Sequence, residues 1–177
     1  LPSNSQSVKV TNIFSSLLVR LWNQTKPVRV NDYATKGEII LTRGEKVCAF
    51  IEQYCKIPEG AQVGQPIKLM KFQKQFILDV YDNPHGTSRA YLSVARKNGK
   101  SALIAAVVLA HLVGPEAKQN SQIISGARSR DQASLVFKLA EKMIRLSPEL
   151  SKIVRIVPSQ KMLIGLICNV EYKAIAI

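Results

Sequence analysis

Aromatic residues make up 6% of the 177-residue chain, too few for the stacking platforms on which single-stranded nucleic acids lie. The three cysteines, Cys48, Cys55 and Cys168, contain no C-x-x-C pair, and the two histidines, His85 and His111, stand far apart. That spacing argues against a zinc site and suits a reducing cytosol better than a disulfide framework. The longest apolar run, Ala102 to Val113, is interrupted by His111 and is too short to span a bilayer. No signal-peptide layout precedes it, and the chain does not begin with Met, so a piece of a longer, cytoplasmic protein without a membrane partner is expected. Acids are the scarcest charged class: 12 Asp and Glu stand against 25 Lys and Arg, giving a net charge of +13. Such an excess favours a polyanionic partner, nucleic acid first and an anionic membrane surface second; the alternative is a domain that is merely basic. What is present is 46% hydrophobic and 21% charged, the balance of a single globular domain with a real core.

Residues 1–41 form a weakly patterned leader, with "NIFSSLLVRLW" fitting a short amphipathic helix and "NQTKPVRVNDYATKGE" a linker. From Thr42 the signals sharpen. Thr42 and Glu45 have capping-box spacing, and Val47, Phe50, Ile51, Tyr54 and Cys55 follow at helical spacing, which makes Cys48 and Cys55 small apolar residues of a packed face. A second helix runs through Leu69, Phe72, Phe76, Ile77, Val80 and Tyr81 and stops at "DNPHG". "RAYLSVA" then reads as a short strand before a basic turn, and Ser101 to Val113 as a helix buried all round. "SQIISGA" is the next strand. Ser129 and Gln132 form another capping box, leading a helix with Ala133, Val136, Phe137, Ala140, Met143 and Ile144 on one face and ending at "LSPEL". "KIVRIV" and "KMLIGLICNVEYKAIAI" are strand-like. This order predicts an α/β three-layer domain with a mainly parallel sheet.

The basic turn spells Gly99-Lys100-Ser101, the second half of the phosphate-loop pattern G-x-x-x-x-G-K-[ST], with Val94 where the first glycine belongs. Its place between a strand and a buried helix is where backbone N–H groups and a helix N-terminus face phosphate. There Gly99 permits close backbone approach, Lys100 neutralises the β- and γ-phosphates, and the Ser101 hydroxyl takes a place on Mg²⁺. Arg96 and Lys97 add positive charge. The competing reading is a basic surface turn.

The blocks "LTRGEKVCAFIEQYCKIPEG", "FQKQFILDVYDNP", "AYLSVARKNGKSALIA" and "LAHLVGPEAKQNSQIISGARSRDQASLVFKLAEKMIRLSPEL" together resemble the N-terminal ATPase domain of tailed-phage terminase large subunits. That family has a glycine-poor variant loop of the form A-R-K-N-G-K-[ST], matched here by Ala95 to Ser101. The resemblance implies an additional-strand, helicase-like P-loop NTPase domain over residues 42–177, incomplete at its C-terminal end. It implies ATP and Mg²⁺ as ligands, held by Arg96, Lys97, Asn98, Gly99, Lys100 and Ser101. Lys100 and Ser101 take the phosphate and magnesium positions, and Arg96 stabilises γ-phosphate charge in cis. Gln73 corresponds to a glutamine that contacts adenine, as against a solvent-facing polar residue beside an apolar face. The implied activity is that of a packaging motor that drives double-stranded DNA into a prohead in the bacterial host cytoplasm. Its implied partners are the portal, the small terminase subunit and further copies in a ring.

"SGARSRDQA" leaves two readings open, since Arg128 and Arg130 suit DNA phosphate or nucleotide sensing as well as solvated charge at a helix start. Hydrolysis needs an acidic pair after a later hydrophobic strand. Glu116, Asp131, Glu141, Glu149 and Glu171 are the only acids after the loop, and none are adjacent. The strand-like run up to Glu171 carries one acid alone. By the resemblance, the acidic pair and the nuclease domain fall beyond Ile177. The alternative is a non-enzymatic basic module that binds nucleic acid, or an inactive prophage remnant.

Overall fold

The computed structural model describes residues 41–176, so the leader's amphipathic segment and linker lie outside the described residues. The first helix, α1 (Arg43–Tyr54), starts in the expected capping box: Glu45 N–H donates to Thr42 Oγ1 at 3.2 Å and Thr42 N–H to Glu45 Oε2 at 2.7 Å. Val47, Cys48, Phe50, Ile51 and Cys55 are buried. Burial pushes the Cys48 thiol up to about 11 and the Cys55 thiol up to about 12, as befits small apolar residues of a packed face.

Helix α2 (Lys71–Tyr81) buries Gln73, Ile77 and Tyr81 along one stripe, the i, i+4, i+8 face of a helix. It pairs with α1 across Gly44, where a Cβ would meet Asp82 Oδ2 at 2.9 Å and the Leu78 backbone at 3.1 Å. Asp82, just past α2, accepts from Thr42 Oγ1 and from Gly44 N–H, each at 2.7 Å. The end of one helix therefore caps the start of the other, satisfying donors that a helix N-terminus leaves over.

Helix α3 (Lys100–Leu112) follows the basic turn and buries Leu103, Ala105, Ala106, Leu109, Ala110 and Leu112. Strand β1 (Gln122–Ala127) leads to α4 (Arg130–Leu146), capped by Ser129 Oγ accepting from Gln132 N–H at 3.3 Å. Pro148 does not simply stop that helix; it opens a short α5 (Pro148–Ile153), since proline is preorganised for a first helical turn. Strands β2 (Val154–Val157), β3 (Met162–Gly165) and β4 (Val170–Ala176) complete a four-stranded sheet of order β1-β4-β3-β2.

The expectation of a mainly parallel sheet is corrected here. Only β1 and β4 are parallel; β3 is antiparallel to both β4 and β2. The reason is connection length, since short turns join only antiparallel neighbours. Residues 158–161 join β2 to β3, with Lys161 left-handed at φ 50°, and residues 166–169 join β3 to β4, with Asn169 at φ 49°. Leu163, Val170 and Tyr172 are fully buried on one face of the sheet, where α3 and α4 pack. Gly165 lies on that face so close to α3 that a Cβ would sit 2.3 Å from the Leu112 carbonyl oxygen. On the opposite face Ile124 is 61% exposed, so among the described residues helices cover one side of the sheet rather than both.

The strand expected at "RAYLSVA" is also corrected. Among the described residues no strand pairs with residues 89–95, and Tyr91 is 85% exposed. Apolar alternation permits a strand, but only a neighbouring ladder makes one.

Candidate nucleotide-binding site

The turn into α3 is built from two left-handed residues. Lys97 has φ 67° and Gly99 φ 69°, and Gly99 is the N-cap of α3. No side chain caps that N-terminus, so its first N–H groups face outward with the positive end of the helix dipole behind them. Lys100 and Ser101, in the first turn, are half-buried, and Arg96 and Lys97 are exposed. Among the described residues the ion pairs join Arg43 to Glu116, Lys74 to Glu52, Lys142 to Glu59 and Arg145 to Glu141. None involves Arg96, Lys97 or Lys100, so no carboxylate among the described residues neutralises the positive charge of the turn. The donor set fits a polyphosphate and, through the Ser101 hydroxyl, its hard cation. Lys100 Nζ meanwhile donates to the Val94 carbonyl at 2.6 Å, while the Asn98 side chain donates to the Ala95 carbonyl at 3.4 Å.

Gln73 is not a solvent-facing residue. It is 6% exposed and stands over the turn: Oε1 accepts from Met70 N–H at 3.0 Å and Nε2 reaches the Asn98 carbonyl at 3.4 Å. A Cβ on Gly99 would lie 3.3 Å from that Nε2. Beside it opens a cavity of ≈ 210 Å³ lined by Ile51, Ile57, Pro58, Leu69 and Met70 together with Gly99, Ala102 and Leu103. An apolar slot with one amide at its wall, next to a basic turn, has the composition of a site for a flat heteroaromatic base. A larger hollow of ≈ 410 Å³ near Ser159, Gln160 and Lys161 contains none of these residues.

Among the described residues no hydrogen bond or ion pair joins Arg128 or Glu171 to this turn. Arg128 is exposed just past β1, and the side chain of Arg130 lies outside the described residues. Glu171 is near the start of β4, opposite Gln122 and Ile164, whereas ligands of α/β sheets gather at the carboxyl ends of strands. Glu171 therefore lies at the other end of its strand.

The sequence left a polar cluster unseen at the far end of α3. Glu116, 8% exposed, accepts both Arg43 Nε, at 2.8 Å, and Arg43 Nη2. The Arg43 guanidinium also lies 5.4 Å from the centre of the Tyr81 ring. Tyr81 and His111 share a 2.7 Å hydrogen bond between the phenol oxygen and Nε2. Burial pushes Tyr81 up to about 12 and holds His111 below its ordinary value, so the bond joins a neutral phenol to a neutral imidazole. The one signal available was a histidine inside an otherwise apolar helix.

A family model described as "Terminase large subunit, ATPase domain" matches residues 61–167. The chain is 65% identical over 136 residues to the large subunit of the terminase of Enterobacteria phage HK97, a match that covers 77% of this chain and 27% of that protein. The crystal structure of the HK97 bacteriophage large terminase superposes with a TM-score of 0.72 at 63% identity, over 77% of this chain and 28% of that one. The chain thus spans little more than a quarter of the length of these relatives.

Proposed function

Because the chain belongs to the family of terminase large subunit ATPase domains, we propose that Gln73 and residues 96–101 form an ATP–Mg²⁺ site of the P-loop NTPase class. The observation that carries this reading is the uncapped N-terminus of α3, entered through left-handed Gly99 and flanked by cations without carboxylate partners. In it the first N–H groups of α3 and the Lys100 ammonium hold the β- and γ-phosphates. The Ser101 hydroxyl supplies a ligand to Mg²⁺, which when bound would neutralise phosphate charge. Arg96 is long enough to stabilise charge developing on the γ-phosphate, as an arginine finger does. Gln73 reads the base edge while the apolar slot takes the ring.

The Lys100 ammonium has three N–H donors and gives one to the Val94 oxygen, so the nucleotide-free turn holds its own lysine in place with donors left for phosphate. In the longer protein this domain drives duplex DNA into a prohead, together with the portal, the small subunit and further copies of itself. Grip on backbone phosphate suits that task, because a motor must move any sequence.

The test is a titration of a fluorescent ATP analogue with Mg²⁺ against wild type and Lys100→Ala. A charge-assisted contact is worth about 1.5–3 kcal/mol, so affinity falls roughly ten- to a hundredfold. Equal affinity in both proteins, with the fold intact by circular dichroism, would overturn the reading and favour a basic module that binds no nucleotide.

A further inference from the structure

Helix α2 touches α3 through polar side chains at both of its ends. Gln73, in its first turn, stands over Asn98 and Gly99 at the N-terminus of α3. Tyr81, its last residue, bonds His111 in the last turn of α3. The two residues share the buried stripe of α2 with Ile77 between them, about 12 Å apart along the axis at 1.5 Å per residue. Helix α1 also packs on both α2 and α3. The axial position of α2 relative to the basic turn is therefore set at the far end by a directional bond to α3, beside its packing on α1, and at the near end by Gln73. The near contact is weak, because Nε2 to the Asn98 carbonyl is 3.4 Å, beyond the usual range for such bonds.

We propose that the Tyr81–His111 hydrogen bond is a positioning device for base recognition: it sets how far along α3 the amide of Gln73 stands, and so how selectively the slot takes adenine over guanine. Tyr81 and His111 touch no nucleotide. Adenine presents a donor and an acceptor on one edge where guanine presents the reverse polarity, and a side-chain amide pairs with the former only from the right height. The Arg43–Glu116 pair keeps the pin in register, because Arg43 lies on the Tyr81 ring and Glu116, in the turn after α3, donates its own N–H to the Ala110 carbonyl at 3.2 Å. This inference rests on the nucleotide reading above.

The experiment compares the chain with Tyr81→Phe, His111→Leu and His111→Gln in three titrations with Mg²⁺: labelled ATP, labelled GTP and inorganic tripolyphosphate. Glutamine keeps an acceptor near the Nε2 position and leucine does not, so His111→Gln is the conservative rescue. The expected result is a three- to tenfold fall in the ATP-to-GTP affinity ratio for Tyr81→Phe and His111→Leu, the range that misplacing one hydrogen bond gives, about 0.6–1.4 kcal/mol. The ratio is retained in His111→Gln, and tripolyphosphate affinity is unchanged throughout. A merely structural role would move tripolyphosphate affinity together with the ratio, and that outcome overturns the proposal. So does an unchanged ratio in Tyr81→Phe and His111→Leu, a His111→Gln that behaves as leucine does, or a wild type that binds tripolyphosphate without preferring adenine. A wild type that binds neither tripolyphosphate nor nucleotide overturns the phosphate-turn reading itself, and the proposal with it.

Discussion

Replacing Gly99 by alanine separates two effects that meet at the phosphate turn, because the protein carries its own control. Gly99 and Gly86 have nearly the same backbone conformation, φ 69° and φ 72°. A Cβ on Gly86 would meet nothing within 4 Å, whereas one on Gly99 would meet Gln73 Nε2 at 3.3 Å. The left-handed backbone costs an L-residue about 1–2 kcal/mol, and both variants pay that amount. The Gln73 amide cannot move away freely, being buried and held by Met70 N–H at 3.0 Å. A few tenths of an ångström of displacement there adds about 1 kcal/mol, the low end of overpacking costs. The expected order of urea midpoints is therefore wild type, then Gly86→Ala, then Gly99→Ala, with the last gap about 1 kcal/mol after conversion by a common slope. ATP-analogue affinity falls in Gly99→Ala only. Equal destabilisation by the two substitutions, with nucleotide affinity unchanged in both, would refute the placement of Gln73 against the turn.

Two further expectations concern the rest of the core. Arg43→Ala leaves the buried Glu116 carboxylate without its partner and removes the cation from the Tyr81 ring; because Arg43 is itself half-exposed, the expected loss is about 1–3 kcal/mol by urea denaturation, and a loss under 0.5 kcal/mol would contradict the contact. Stability also falls as pH rises above about 9: the unfolded chain releases the Cys48 and Cys55 protons near 9.0 and the Tyr81 proton near 10.0, while the fold holds them to about 11, 12 and 12. Each group adds a slope of about 1.4 kcal/mol per pH unit in its window, and a Cys48→Ala/Cys55→Ala protein should lose most of the slope between pH 9 and 10. At the acid end the sign is reversed: burial lowers His111, so the unfolded chain takes up that proton first and stability declines as pH drops below 6.5.

What was legible in the sequence was whatever is local. The Thr42 and Ser129 caps, the apolar stripe of α4 and the boundaries of α3 follow from residues three or four apart, and each stands within a residue or two of its expected place. Strand pairing is not local. The run from Lys161 to Ile177 reads as one strand-like, largely apolar stretch, yet it folds into β3 and β4 around residues 166–169, a turn of Leu, Ile, Cys and Asn with almost none of the usual turn residues. Once that turn exists, antiparallel pairing follows. The site divides the same way. The basic turn before α3 is a contiguous motif and was readable, and the family resemblance pointed to Gln73 as a candidate. The 6% exposure of Gln73, by contrast, depends on how α2 is held against a segment 25 residues later. Glu116 looked like one more scattered acid, because its partner lies 73 positions upstream.

The valine in place of the first loop glycine also has a physical account. Glycine is required where the chain must turn left-handed or where a backbone passes with no room for a Cβ. Val94 has no positive φ; the left-handed residues of this turn are Lys97 and Gly99. Val94 therefore needs no glycine, and its carbonyl is instead the acceptor that holds Lys100. The backbone reversal has moved three residues along, onto a lysine that carries conformational strain of about 1 kcal/mol or more. A charged residue kept in that strained position, exposed beside an uncapped helix N-terminus, is easier to understand if an anion sits there during part of the working cycle. A basic surface turn with no ligand would gain stability from glycine or asparagine at that position. The departure from the full glycine pattern thus favours the phosphate site over the surface turn.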